Sequence, residues 1–158
     1  MKRFLSIKIL ALALVTLLGN IPVIAAERAF SASGRGVLAF ILDGNGNPVG
    51  ADITGSGLGT HLGMFSSSGR LYIEPDPNKP TIVLVSGEAT FLAANGDKLH
   101  IVVENGSMDV TTGIGSGNFR FTGGTGRFEN ATGLLSYVVD QSLVTGAYEI
   151  TMVGKINY

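Results

Sequence analysis

Phe119-Arg120-Phe121-Thr122-Gly123-Gly124-Thr125-Gly126-Arg127-Phe128 changes character halfway along. Phe119 and Phe121 flank Arg120, the alternation that puts one face of a strand into a core and the other into water. Three glycines then interrupt the pattern, and Phe128 returns the chain to apolar surroundings. The segment reads as strand, glycine-rich turn, strand, with Gly123, Gly124 and Gly126 free to take positive φ. Thr125, between the last two glycines, is expected to tolerate substitution.

Working outward, the same period of two recurs along the chain. Tyr148, Ile150, Met152, Ile156 and Tyr158 fall on one face of the C-terminal segment, opposite Glu149, Thr151, Lys155 and Asn157. Leu99, Ile101 and Val103 oppose Lys98, His100 and Glu104. Asp43-Gly44-Asn45-Gly46-Asn47-Pro48 and Asn95-Gly96-Asp97 are turn sequences between such runs. Strands are expected near 28–42, 48–57, 59–66, 70–75, 81–86, 87–94, 98–105, 117–122, 126–139 and 143–157, some of them merging into eight or nine. Helical spacing is missing, so the class is all-β. The 23 glycines among 158 residues exceed the usual share of about 7% and punctuate the short runs.

Residues 1–26 stand apart. Lys2, Arg3 and Lys8 precede the apolar run Ile9 to Leu18, followed by Ala25 and Ala26, the order of a secretory signal. The expectation is a signal peptide over 1–26 and a single β-barrel domain over 27–158, secreted or periplasmic. An uncleaved anchor is the competing interpretation of the same run. Residues 27–158 keep eight of the eleven basic residues and all twelve acidic ones, a balance that argues against nucleic acid as a partner. With no Cys there is no disulfide framework, thiolate metal site or Cys nucleophile. No stable membrane insertion is expected, because the strands look shorter than the ~9–11 residues a spanning strand needs.

The Phe121–Phe128 hairpin, followed by Ala131-Thr132-Gly133, resembles the GGTGRF-type hairpin of plant allene oxide cyclases and dirigent proteins. Thr60-His61-Leu62-Gly63, Gly87-Glu88-Ala89-Thr90-Phe91 and Ala94-Asn95-Gly96-Asp97 are similar to bacterial secreted proteins with an allene-oxide-cyclase-like barrel. The resemblance covers residues 35–158. It implies a small closed eight-stranded, calycin-like antiparallel barrel with small apolar ligands in its lumen. It carries no catalytic residue onto this chain.

Candidate chemistry is sparse. His61 and His100 are far apart and lack metal-ligand spacing, so no metal site is expected. His100 lies on the polar face of its strand, as a surface residue does. His61 is either a hydrogen-bonded structural histidine or a site residue. Asp43, Asn45 and Asn47 imitate a calcium loop, but Pro48 stands where the turn glycine belongs and Thr54 where a bidentate carboxylate is required. No serine elbow or helix-capped phosphate loop occurs, and no cofactor is expected. Glu88 and Glu129 are either surface charges or acid–base groups raised by a barrel lumen.

Phe119, Phe121, Phe128, Tyr137 and Met152 are the expected ligand-binding residues. They suit a small apolar ligand or, if they fill the lumen, a structural module. A cyclase or isomerase confining an apolar substrate, with His61 or Glu88 as catalytic candidates, is one alternative. A small outer-membrane barrel is another. Val37–Leu42 and Ile82–Val85 are apolar on both faces, which calls for an outer cover, either a packed loop or a partner copy in a homo-oligomer.

Overall fold

The alternation legible at the C-terminus runs through all eight strands of the computed structural model, which describes residues 26–158. Except for Ala26, the expected leader lies outside the described residues. The strands are β1 (Arg28–Leu42), β2 (Pro48–Gly59), β3 (Gly63–Pro75), β4 (Ile82–Leu92), β5 (Lys98–Asp109), β6 (Ile114–Gly124), β7 (Thr132–Gln141) and β8 (Ala147–Asn157). Each pairs antiparallel with the next, and β8 returns to β1, with Ala32 opposite Met152, to close the barrel. Closure leaves no free sheet edge.

Two expected breaks do not occur, and one expected strand is divided. Segment 59–66 is split by a turn at 60–62, Gly59 ending β2 and Gly63 opening a β3 that runs on unbroken through 70–75, while 81–86 and 87–94 merge into the one β4. Gly69 and Gly87 are the reason for the missing breaks. Neither ends a strand; both point inward, where a Cβ on Gly69 would meet Ala89 and one on Gly87 would strike the Arg70 carbonyl. Conversely, residues 126–128 are a single 3-10 turn, so the strand expected from 126 begins at Thr132. All eight strands are 10–15 residues long, so the length argument against membrane spanning fails. The outer wall carries the ion pairs Asp52–Arg70 and Glu104–Arg120 together with exposed apolar side chains such as Leu58, Leu134, Val138 and Val153.

The inward glycines explain much of the composition. Large inward residues repeatedly sit opposite a glycine on the adjoining strand: Tyr137 opposite Gly117, Met108 opposite Gly115, Leu71 opposite Gly87, Tyr148 opposite Gly36. A barrel this narrow fills its interior by alternating small and large side chains.

The two ends differ. At one, the loops at 60–62, 93–97 and 125–131 meet, and Leu62, Leu99, Phe121, Phe128 and Ile156 are almost wholly buried. Phe30 packs edge-on to Phe121 at 5.2 Å, and Phe128 edge-on to Tyr158 at 5.1 Å. This end is plugged. The hairpin that carries the resemblance clasps it. Arg127 donates to the His61 carbonyl at 2.6 Å and approaches the Asp97 carboxylate at 3.7 Å, tying three loops together. Thr125 is pinned on both sides to Lys98, donating from its backbone N–H and accepting on Oγ1, each at 2.9 Å. It is therefore not the unconstrained position the sequence suggests. Gly123 and Gly126 do take positive φ, at 97° and 56°. Gly124 does not, and its need for glycine is steric: a Cβ would land on the Lys98 carbonyl oxygen.

At the opposite end the loops are 43–47, 76–81, 110–113 and 142–146. Asp43 accepts backbone hydrogen bonds from Asn45 and Asn47, both at 2.8 Å, which makes its loop a hairpin turn. Those bonds hold its carboxyl below the usual range. The inner-face residues here, among them Leu38, Ile53, Leu71 and Ile150, are only half-buried. The outward side chains of Val37 and Leu84 are exposed, so among the described residues neither doubly apolar run has an outer cover.

Candidate functional site

Between the plug and the open end lies a cavity of about 90 Å³. Its walls follow from strand parity. Inward positions of β7 give Tyr137, Val139 and Gln141, those of β8 give Tyr148, Ile150 and Met152, and β3 supplies Phe65, Ser67 and Leu71. Phe119 from β6 stacks on Tyr137 with ring centroids 4.2 Å apart and 12° between planes. The lining is overwhelmingly apolar. Ser56 and Ser107 border it from outward positions of β2 and β5, and the polar side chains turned toward it are Ser67, Tyr137, Gln141 and Tyr148. Arg35 borders the cavity, but its parity and exposure place its side chain on the outer wall.

The electrostatics follow from the apolar walls. Burial pushes the Tyr137 phenol up to about 12, since an anion finds no solvation there. Burial also raises Tyr148, and the Ser67 hydroxyl beside it pulls in the opposite direction. Both phenols are protonated at neutral pH and present O–H donors. Among the described residues no strand turns a carboxylate, amine or imidazole inward, and no group of three or more His, Cys, Asp or Glu gathers to hold a metal.

The sequence-expected residues divide. Phe119, Tyr137 and Met152 line the cavity, whereas Phe121 and Phe128 belong to the plugged end. His61 sits at that same end with positive φ (66°). Its Nε2 lies 2.9 Å from the Ala29 carbonyl, which only a donor can satisfy, so Nδ1 accepts from the Tyr158 hydroxyl at 3.0 Å. Both ring nitrogens are thus committed within the protein, as in a structural histidine. Glu88 points outward in the register opposite Arg70, outside the lumen. Glu129 is exposed beyond the 3-10 turn. His100 faces outward too, its Nδ1 2.9 Å from the Thr90 hydroxyl.

Sequence reasoning missed Val139, Gln141, Tyr148 and Ile150 as lining residues. Parity was the available signal: each lies an even number of residues from Tyr137 or Met152 on its own strand.

The chain matches no family model and no curated protein. In three dimensions it is similar to the pterocarpan synthase dirigent protein GePTS1, with TM-score 0.54 and 13% identity over 88% of this chain and 89% of that one. It is also similar to the pterocarpan synthase dirigent protein PsPTS1, with TM-score 0.58 and 14% identity over 85% of this chain and 97% of that one. The shared feature is the fold, a closed eight-stranded barrel of the kind the hairpin implies.

Proposed function

Starting from a dirigent-type barrel, we propose that this chain is an exported protein that takes a small apolar molecule into its lumen through the open end. The observation that carries this reading is the cavity itself, apolar in its walls, plugged below and half-exposed above. Burial of apolar area supplies the affinity. The leader-like order of residues 1–26 and the absence of Cys support export, and the ion pairs on the outer wall support an aqueous setting.

Size narrows the ligand. About 90 Å³ is well below the ~300–1,000 Å³ of sites that swallow a drug-sized molecule. An apolar cavity of ~150 Å³ holds benzene. The lumen therefore seats a chain end or the edge of one ring, with the remainder at the rim, where Phe40, Val49 and Leu143 are exposed.

Confinement catalysis is the second reading, favoured by the name of the structural relatives and by the protonated Tyr137 phenol. With no inward carboxylate or imidazole, such chemistry would rely on shape and hydrogen-bond donation.

Titration with a neutral naphthalene-type dye tests the ligand reading. Val139→Trp and Ile150→Trp, at half-buried positions of the wall, are expected to fill the lumen and abolish binding. Lys155→Ala, on the outer wall, is expected to leave it unchanged. Undiminished dye affinity in both Trp variants, with the strand circular dichroism retained, would sink the proposal.

A further inference from the structure

The inner wall of β7 carries two polar side chains four residues apart. Tyr137 is 6% exposed and Gln141 3% exposed, and both border the cavity. The Tyr137 hydroxyl approaches the backbone at Gly106 and Gly117, where glycine leaves room for it. Burial is the sole cause of its altered acidity, with no hydrogen bond contributing. Gln141 is anchored through its backbone N–H, which donates to the Gly113 carbonyl at 3.0 Å. Neither polar end is sealed off: among the described residues the fully enclosed side-chain polar atom without a partner is Asn157 Oδ1, so the Tyr137 hydroxyl and the Gln141 amide stand at the cavity wall, open to an occupant that pairs them.

The occupant's charge follows from the rest of the lumen. Among the described residues no lysine, arginine or histidine side chain is turned into the cavity; Arg28, of inward parity, lies over the Tyr158 ring at the plugged end, with His61 beside that ring. An anion drawn into these apolar walls would lose its hydration with nothing to replace it. Tyr137 lies deeper and Gln141 nearer the open end, and both donate to a neutral acceptor without any charge being buried.

We propose that the lumen selects neutral molecules bearing a carbonyl or hydroxyl oxygen, which accepts hydrogen bonds from Tyr137 or Gln141, and keeps carboxylates out of its depth. This builds on the apolar-ligand reading above and names the ligand class.

Three ring compounds of similar shape separate the two claims: acetophenone, ethylbenzene and benzoate, each titrated at pH 7 by NMR chemical shift. Acetophenone is expected to bind about three- to tenfold more tightly than ethylbenzene, the contribution of one hydrogen bond. Benzoate is expected to bind at least about tenfold more weakly than acetophenone. Tyr137→Phe, which preserves the ring, and Gln141→Leu should each erode the ketone's advantage while shifting ethylbenzene by less than about twofold. Equal affinities for acetophenone and ethylbenzene would overturn the selection and leave the apolar-ligand reading standing. An advantage that survives both substitutions would also overturn it. Failure of all three compounds to bind would overturn both.

Discussion

Gly124→Ala is the substitution that most directly probes how the hairpin holds the plugged end. The added Cβ lands on the Lys98 carbonyl oxygen, with the Leu99 Cα behind it at 3.1 Å. Both obstacles are β5 backbone, so no side-chain rotation relieves them. Overpacking of this kind costs about 1–3 kcal/mol. Parting the strands to relieve it strains the two Thr125–Lys98 hydrogen bonds, each 2.9 Å long and worth about 0.5–1.5 kcal/mol. The combined loss is about 2–6 kcal/mol, a large part of a typical domain's stability. With a urea slope of about 2 kcal/mol/M, the midpoint falls by roughly 1–3 M. Gly126→Ala should cost less. Its φ of 56° penalises an L-residue by about 1–2 kcal/mol, but the Asp97 carboxylate in its way can swing aside. Thr125→Val, which removes one acceptor, should cost about 1 kcal/mol. Gly44→Ala is the control, because nothing lies within 4 Å of its Cβ. A Gly124→Ala midpoint equal to that of Gly44→Ala, at the same slope, would refute the steric account.

Two further outcomes follow from the same geometry. Phe128→Ala, at a position with 0% exposure, is expected to lower stability by about 3–5 kcal/mol; a loss under about 1 kcal/mol in urea would mean that the plug does not depend on this ring. Tyr137 ionises at about 12 in the folded protein and near 10 once unfolded, so its contribution is intact below pH ~10 and is lost as pH rises towards 12, by up to about 2–3 kcal/mol. Denaturant stability of wild type and Tyr137→Phe measured from pH 9 to 12 checks this, the variant losing less over that interval.

What could be read in the sequence was local. The alternation in Phe119–Phe121 and Tyr148–Tyr158 is carried by neighbouring residues, and both segments are strands with the expected inward faces. The glycine-rich hairpin was legible as a turn for the same reason. Arg127 was not legible as a clasp, because its partners His61 and Asn95 lie 66 and 32 residues away along the chain. Gly69 and Gly87 suggested interruptions, since their use as inward space depends on which strands come to lie beside them. The candidate site split along the same line. Parity correctly turned Phe121 and Phe119 to one face, but only the position of the plug along the barrel axis separates a packing residue from a lining one.

That axial division has a physical origin in how the aromatic rings are seated. The Phe65 ring lies over Gly34 and Gly57, the Tyr148 hydroxyl reaches Gly36 and Gly55, and the Tyr137 hydroxyl reaches Gly106 and Gly117. In each case the glycines belong to the two strands adjoining the aromatic's own in one direction around the barrel. The rings therefore run along the wall, in gaps left by missing side chains, and do not reach across the lumen. At the plugged end the arrangement changes. Phe30 meets Phe121 and Phe128 meets Tyr158 edge-on, and the interior there is filled. The glycines thus perform two opposite tasks within one closed sheet. In the hairpin, Gly124 lets two backbones approach closely enough to seal one end. In the strands, inward glycines draw large rings against the wall and leave the middle of the barrel open, which is where an apolar ligand would have to go.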